Sequence, residues 1–441
     1  GVQVVTMLRS KSIVKKTRRG AVVKVVKEQY LRDDIPCGLS ECRLCGAPTH
    51  GTPLLPSAEC GTVVVPDTNA FLHQMDVFEV PALRNVVVLQ TVLSEVQHRD
   101  RHAYARLRRV IDAPERHFFV FSNETHRDTA IETKPGESPN DRNDRAIRVS
   151  VRWYQQHLRT HCSADMRVLL VTNDAENLDL ALQAGLDAMK IHEYVRTQKH
   201  LPHLSDMLAH FCPDDSTLDG DAEVFYDEHL SEQAIEDGLR DGRLVKGVFR
   251  ANADNYKEGF VQVKGECKRA DVTRDNGEVL VRSLRHLNRA TNNDIVAVEV
   301  LPEDQWHAPS DLILTHETAA DDVDDETLEA TLCLQAAGSN GDASLKKKVS
   351  GRIVGIIRRA WKPLVGYVET PSVGLTHETD VFFVPSDNRM PRVKLQTKDW
   401  EHYLHKRIVV TIDGWPRTSK TPLGHCTKEL GLIGDKDTEA E

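Results

Sequence analysis

The 441-residue chain has no run of about 18 apolar residues, which excludes a transmembrane helix. Its basic start lacks the apolar stretch of a secretory signal, and no membrane partner is expected. Acidic residues are missing from residues 1–27, which carry eight Lys or Arg. The nine cysteines are an odd number spread over a long chain, so a disulfide framework is not expected and a reducing compartment is. Gly1 stands where Met would open a chain, and Met7 is the expected native start, with the first six residues an extension. What is present is ordinary for globular domains: 40% hydrophobic and 28% charged residues, in a length suited to two to four domains. The net charge of −10 says little against nucleic-acid binding, because charge is segregated along the chain.

In the basic arm, Lys15, Lys16, Arg18 and Arg19 are flanked by Ile13-Val14 and Ala21-Val22. Such a run is either a solvated tail or an arm that binds RNA or a partner's acidic groove. The pairs Val22-Val23 and Val25-Val26 favour docking. Residues 60 to about 205 alternate short apolar runs with helical patterns, the signature of a parallel α/β sheet. The runs are Thr62–Pro66, Asn85–Leu89, His117–Phe121 and Arg167–Thr172. A long helix capped by Asn140-Asp141 is expected to reach about Leu158, and a shorter one covers Asn177–Ala184.

After about residue 215 the pattern is all-β. Strands are expected over Leu244–Arg250, Gly259–Lys264, Glu278–Arg282 and Asp294–Leu301, then, beyond an acidic linker at 313–345, over Val349–Arg358, Leu364–Glu369, Val381–Pro385, Arg392–Leu395 and Arg407–Ile412. This reads as two barrels following one α/β domain, with boundaries at 1–59 (arm and cysteine motif), 60–207 (α/β), 208–312 (first barrel) and 346–441 (second barrel).

Ligands of open α/β sheets sit beyond the carboxyl ends of the strands. Asp67 and Asp174 each follow an apolar run there, Glu95 lies early in the helix after the second strand, and Asp144 lies early in the long helix. On the plainer reading, Asp67 and Asp141 are helix caps and the other acids are surface charges. Read together, four converging carboxylates repel one another unless cations neutralise them. Oxygen donors select Mg²⁺ or Mn²⁺, and paired metals activate water for attack on a phosphodiester. Before this domain, Cys37-x4-Cys42-x2-Cys45 offers three thiolates to a tetrahedral metal. His161, His50 and Cys60 are possible fourth ligands, and three free thiols are the plainer reading.

Barrels of this type bind single strands by stacking bases on aromatics along a basic face. Arg250, Tyr256, Lys257, His286 and Arg289 are the candidates in the first barrel, and Arg352, Arg358, Arg359 and Trp361 in the second. Phe249, Phe260, Phe382 and Phe383 read as core residues.

Val64-Val-Pro-Asp-Thr-Asn-Ala-Phe-Leu-His-Gln74, Gln90-Thr-Val-Leu-Ser-Glu-Val96, Asn140-Asp-Arg-Asn-Asp-Arg-Ala-Ile-Arg148 and Val171-Thr-Asn-Asp174 resemble a PIN nuclease domain. Tyr30-Leu-Arg-Asp-Asp-Ile-Pro-Cys37, His286-Leu-Asn-Arg-Ala290, Gly351-Arg-Ile-Val-Gly-Ile-Ile-Arg-Arg359 and Ile412-Asp-Gly-Trp-Pro-Arg417 extend the resemblance from Met7 to the C-terminus. The family resembled is that of the RNase R-like (RNB family) catalytic subunits of the eukaryotic RNA exosome. The resemblance implies single-stranded RNA endonuclease activity with Asp67, Glu95, Asp144 and Asp174 as ligands of two Mn²⁺ or Mg²⁺ ions. It implies a structural Zn²⁺ on Cys37, Cys42, Cys45 and His157, and two cold-shock domains that guide RNA. It also implies docking to the exosome core through the arm and the nuclease domain, in the nucleus, nucleolus and cytoplasm. That family continues into an exonuclease domain with a tight aspartate cluster; no such cluster occurs here, so the chain reads as an N-terminal fragment without exonuclease activity. The alternative is a docking and RNA-guiding module with a silent nuclease fold. A stand-alone PIN toxin or flap-type nuclease fits poorly with the appended barrels.

Overall fold

The computed structural model describes residues 8–16, 22–48, 50–56, 58–162, 165–210, 224–265, 269–310, 347–370 and 380–440. The chain divides into two compact units, Gly1–Leu208 and Ala209–Glu441.

In the first unit, β1 (Leu8–Lys16) and β2 (Val22–Tyr30) pair antiparallel. The basic arm is thus a hairpin. β-branched residues in both halves suit extended backbone, and Val14 and Val22 stand two-thirds exposed on it. Arg18 and Arg19 lie outside the described residues. The α/β sheet has the order β5-β4-β3-β6-β7, all parallel. It comprises β3 (Thr62–Pro66), β4 (Val86–Leu89), β5 (Phe118–Phe121), β6 (Arg167–Val171) and β7 (Ala188–Met189). The central strands are continuous Val/Leu runs because helices cover both faces. Those helices are α1 (Thr68–His73), α2 (Met75–Glu79), α3 (Gln90–Arg99), α4 (Arg101–Asp112), α5 (Pro139–His161), α6 (Ala175–Gln183) and α7 (Ile191–Thr197).

The long helix is capped by Ser138, whose hydroxyl accepts from Asp141 N–H, and not by Asn140-Asp141. Pro139 then occupies the first helical turn, where it loses no hydrogen bond. The cysteine-bearing segment belongs to the same core: Cys37, Leu39 and Leu54 are buried with the sheet residues. Gly38 has φ +94°, and a Cβ there would lie 2.6 Å from the Phe119 ring. Only glycine allows both that backbone and that approach.

In the second unit, α8 (Glu232–Asp241) precedes β8 (Leu244–Ala251), β9 (Glu258–Val263), α9 (Ala270–Arg274), β10 (Glu278–Arg282), α10 (Leu284–Leu287) and β11 (Ile295–Val300). The first sheet has the order β10-β9-β8-β11-β12. Its last strand, β12 (Gly351–Arg358), is the one the sequence pattern placed in the second barrel. It pairs with β11 from Val300↔Gly351 to Ile295↔Arg358, and a bridge from Leu280 to Ser350 brings it back to β10. Strand spacing alone cannot show this, because the partner lies a long connection upstream. The acidic stretch in that connection lies outside the described residues.

The second barrel is closed in the order β13-β14-β15-β17-β16. Its strands are β13 (Leu364–Val368), β14 (Asp380–Pro385), β15 (Val393–Gln396), β16 (Lys406–Gly414) and β17 (Leu423–Leu432). β17 escaped the sequence reading because Gly, His and Lys dilute its apolar pattern. Phe249 and Phe383 are core residues as expected, but Phe260 and Phe382 are only half-buried and belong to neither barrel core.

Candidate functional site

All four acids lie beyond the carboxyl ends of the parallel strands, and each is oriented by a specific neighbour. Asp67 follows β3 and caps α1. One carboxylate oxygen accepts the Ala70 N–H at 2.7 Å and the other accepts the Thr172 hydroxyl. Asp174 follows β6, caps α6 and accepts from Asn177 N–H at 2.9 Å. The helix-cap reading is therefore true of Asp67 and not of Asp141, and Asp174, read as a surface charge, is a cap as well; capping fixes the direction of both Asp67 and Asp174. Glu95 on α3 accepts from the Thr68 hydroxyl at 2.9 Å and from the Asn143 amide at 3.1 Å. Asp144 on α5 accepts from the Asn140 amide at 3.3 Å.

The electrostatics tie the four together. Burial pushes the Asp67 carboxyl up to about 6, against its bonds from Thr172 and Ala70, and the charges of Asp174 and Glu95 add to the rise. Asp144 is pushed up to about 7, first by burial, then by Asp174 and Asp67. The neighbouring carboxylates thus make Asp67 and Asp144 harder to ionise, the condition a cation relieves. The donor set, carboxylate oxygens alone, fits Mg²⁺ or Mn²⁺. The four do not close on one point. Among the described residues, the one group whose ligand atoms all lie within 4.8 Å of one another is the cysteine–histidine cluster. Beside Glu95 opens a cleft of about 620 Å³ lined by His98, Arg99, Asn140 and Asn143. The sequence reading missed Thr68, Thr172 and Asn143, which orient the acids. Thr68 and Thr172 stand next to or near Asp67 and Asp174 in the chain, whereas Asn143 signals nothing by spacing.

Cys37, Cys42, Cys45 and His157 form that cluster, with the ring nitrogen Nε2 at 3.3 Å from both Cys42 Sγ and Cys45 Sγ. A tetrahedral centre with Zn–S of about 2.3 Å and Zn–N of about 2.0 Å separates such atoms by about 3.5 Å, so the donors fit. The Trp153 ring stacks on His157 at 4.4 Å, and Tyr154 Oη donates to the Cys37 carbonyl at 2.9 Å. Cys37 bonds to Cys45 and holds its thiol well below the usual range. His157 is raised, its bonds to the two thiols overcoming the effect of burial. Of the other candidates, Cys60 turns to the Thr62 carbonyl, His50 is exposed, and the His161 ring lies 5.0 Å from that of His157. Cys162, which ends the long helix, interacts with Cys42 and was missed; it follows His157 by five residues on the same helix.

The nine barrel candidates separate by exposure. Arg250, Arg352 and Arg358 are exposed, Arg250 bonded to Asn293 and Arg352 paired with Glu299 at 2.7 Å. His286, Arg359 and Trp361 are half-buried. Arg359 lies 4.4 Å over the Trp361 ring and pairs with the buried Asp294 at 3.0 Å, so both belong to an internal network. Tyr256, Lys257 and Arg289 are buried. Arg289 donates to the carbonyls of Trp415 and Asp227, each at 3.3 Å, which is a packing role. An arginine is costly to bury without such acceptors, and nothing in its sequence context reveals them.

The fold and its sites define a PIN-type domain followed by two cold-shock barrels. Residues 64–192 match the PIN domain, 223–349 the Rrp44-like cold shock domain, and 380–441 the Dis3-like cold-shock domain 2. Over 99% of its length the chain is 41% identical to "Exosome complex exonuclease RRP44" of Mus musculus, covering 45% of that protein. It is 39% identical over 99% of its length to "Exosome complex exonuclease RRP44 homolog A" of Arabidopsis thaliana, covering 46%. The chain belongs to the Rrp44-like family and corresponds to the N-terminal half of these relatives. It thus spans about half the length of the curated relatives it matches. A solved structure, the T. brucei RRP44 PIN domain, is 32% identical, covers 37% of this chain and 92% of that one, and superposes with a TM-score of 0.32.

Proposed function

We propose that this chain is a metal-dependent endoribonuclease joined to two single-strand RNA-binding barrels, acting with the RNA exosome in RNA processing and degradation. The observation that carries the reading is a set of four electrostatically coupled carboxylates beyond the strand ends, one of which, Glu95, lines an open cleft. Mn²⁺ or Mg²⁺ bound by Asp67, Glu95, Asp144 and Asp174 supplies an activated water and stabilises the leaving oxygen. The chain's own part is to hold the acids. Thr172 and Ala70 fix Asp67, Thr68 and Asn143 fix Glu95, and the first turn of α6 fixes Asp174. Arg99, 3.4 Å from Glu95 and exposed at the cleft, is placed to meet a substrate phosphate.

Cys37, Cys42, Cys45 and His157 hold a structural Zn²⁺ that pins the segment after the hairpin onto the sheet. The exposed candidates Arg250, Arg352 and Arg358 contact RNA phosphates, the hairpin and the PIN domain dock to the exosome core, and the protein works in the nucleus, nucleolus and cytoplasm. The test is cleavage of a circular single-stranded RNA with Mn²⁺, a substrate without ends. Linearisation by the parent chain and none by Asp144→Asn is expected. A parent chain that leaves the circle intact makes the PIN fold a silent docking module.

A further inference from the structure

One half-exposed aromatic ring lies where the two barrels and the segment leading into them meet. The leading segment is held to the second barrel by its backbone: Phe225 and Tyr226 N–H donate to the Arg417 carbonyl at 2.9 and 3.1 Å, and Arg417 Nε donates back to the Tyr226 carbonyl at 3.1 Å. Tyr226 is the anchor. It is buried, its ring lies 5.8 Å from that of Trp415, and its hydroxyl donates to the Lys420 carbonyl at 3.1 Å. Phe225 is different. Its ring is only half-buried, meets the Tyr226 ring edge-on at 4.7 Å, and joins none of the hydrophobic cores of the described residues. Two cations approach it from separate elements, each 5.5 Å from the ring centre. They are the Arg285 guanidinium on α10 of the first barrel and the Lys420 ammonium between β16 and β17 of the second. Arg285 is exposed and forms no ion pair among the described residues. The nearby acid Glu228 lies 3.7 Å from Arg417.

A ring placed only for packing would bury itself against apolar neighbours. A ring left half-open between two like charges is suited to a ligand that brings a flat π-face and negative charge together, and a nucleotide in a single strand does so. Bases stack on aromatics with little regard to sequence, and the cations meet the flanking phosphates. We infer that Phe225, Arg285 and Lys420 form a stacking platform for single-stranded RNA at the junction of the two barrels. This rests on the reading above that the barrels bind RNA, and it adds residues that sequence patterning did not single out. A duplex, whose bases are already stacked, cannot use the platform.

The test is fluorescence anisotropy of a labelled single-stranded oligoadenylate against the full chain, without added divalent cation, with a duplex as control. Phe225→Ala is expected to weaken single-strand binding by about 5-fold or more, the loss of one stacked base, and to leave duplex binding unchanged. Phe225→Trp should keep the affinity and show quenched indole fluorescence on binding, which a packing role would not produce. Arg285→Gln should lower the slope of log affinity against log salt by about 0.7, one phosphate of a single strand. Equal affinity of Phe225→Ala and the parent overturns the platform while leaving RNA binding by the barrels intact. No single-strand binding by the parent overturns both. If circular dichroism shows Phe225→Ala unfolded, the indole signal and the Arg285→Gln slope decide, and absence of either change overturns the inference.

Discussion

The two ligand clusters of the first unit are built on opposite plans. The cysteine–histidine cluster is closed: its four donors lie within 4.8 Å of one another, an indole stacks on its histidine, and two of its cysteines are buried in the hydrophobic core. The carboxylate cluster is open: its acids come from two strand ends and two helices, each has its own hydrogen-bond donor, and Glu95 lines a cleft. A site that only has to hold chains together gains from closure, because the binding energy of its metal is folding energy. A site that has to admit a substrate must leave coordination positions free and bear the repulsion of its own ligands. On the function proposed above, stability and chemistry separate between the two clusters, and substitutions test that separation.

The largest effect is expected at the closed site. Cys42→Ser should release the metal and lower the melting temperature of the first unit by about 10 °C or more, since each kcal/mol is worth ~2–4 °C at this size. Differential scanning calorimetry together with elemental analysis reads both quantities. An unchanged melting point with metal retained removes the contrast. Next comes Asp144→Asn. It removes one charge from a group already pushed up by its neighbours, so cleavage should fall by at least about 100-fold, while the melting temperature, measured without divalent cation, should hold or rise by a few degrees. A loss of stability like that at Cys42 would show that the acids are structural too. A reversible effect, with no change in stability, is expected from a weak chelator that removes Mg²⁺ and Mn²⁺ but not thiolate-bound zinc. It should stop cleavage, leave circular dichroism unchanged, and be reversed by added Mn²⁺. The smallest is Thr172→Val, which removes the hydroxyl that orients Asp67 but no ligand. A roughly 10-fold fall in kcat with KM nearly unchanged is expected from steady-state kinetics.

Much of this contrast was legible in the sequence, for physical reasons. Strands buried on both faces read as unbroken runs such as Val63-Val64-Val65, and acids immediately after such runs must lie at the strand ends. The Cys42-x-x-Cys45 spacing is local, so its geometry survives folding. His157 is 112 residues from Cys45 and came only with the family resemblance. Pairing across long separations was not legible: β12 carries a strand pattern but no mark of its partner. Nor was the fate of the arginines, since Arg250 and Arg289 look alike in sequence, yet one is exposed and the other is enclosed by backbone carbonyls. Asn140 read as part of a cap and Asn143 carried no signal, yet their amides turn toward Asp144 and Glu95.

The late arrival of β12 has a consequence for how the first barrel comes to exist. Four of its strands are complete by Val300, and the fifth begins only at Gly351. Pairing across so long a separation in sequence is slow to reward, because chain entropy is lost before the hydrogen bonds to β11 form. The barrel therefore finishes folding after the chain has already emitted its connection. A chain stopped at Val300 would lack the fifth strand and leave the β12-facing edge of β11 unpaired, so the integrity of the first barrel depends on sequence that lies beyond its first four strands.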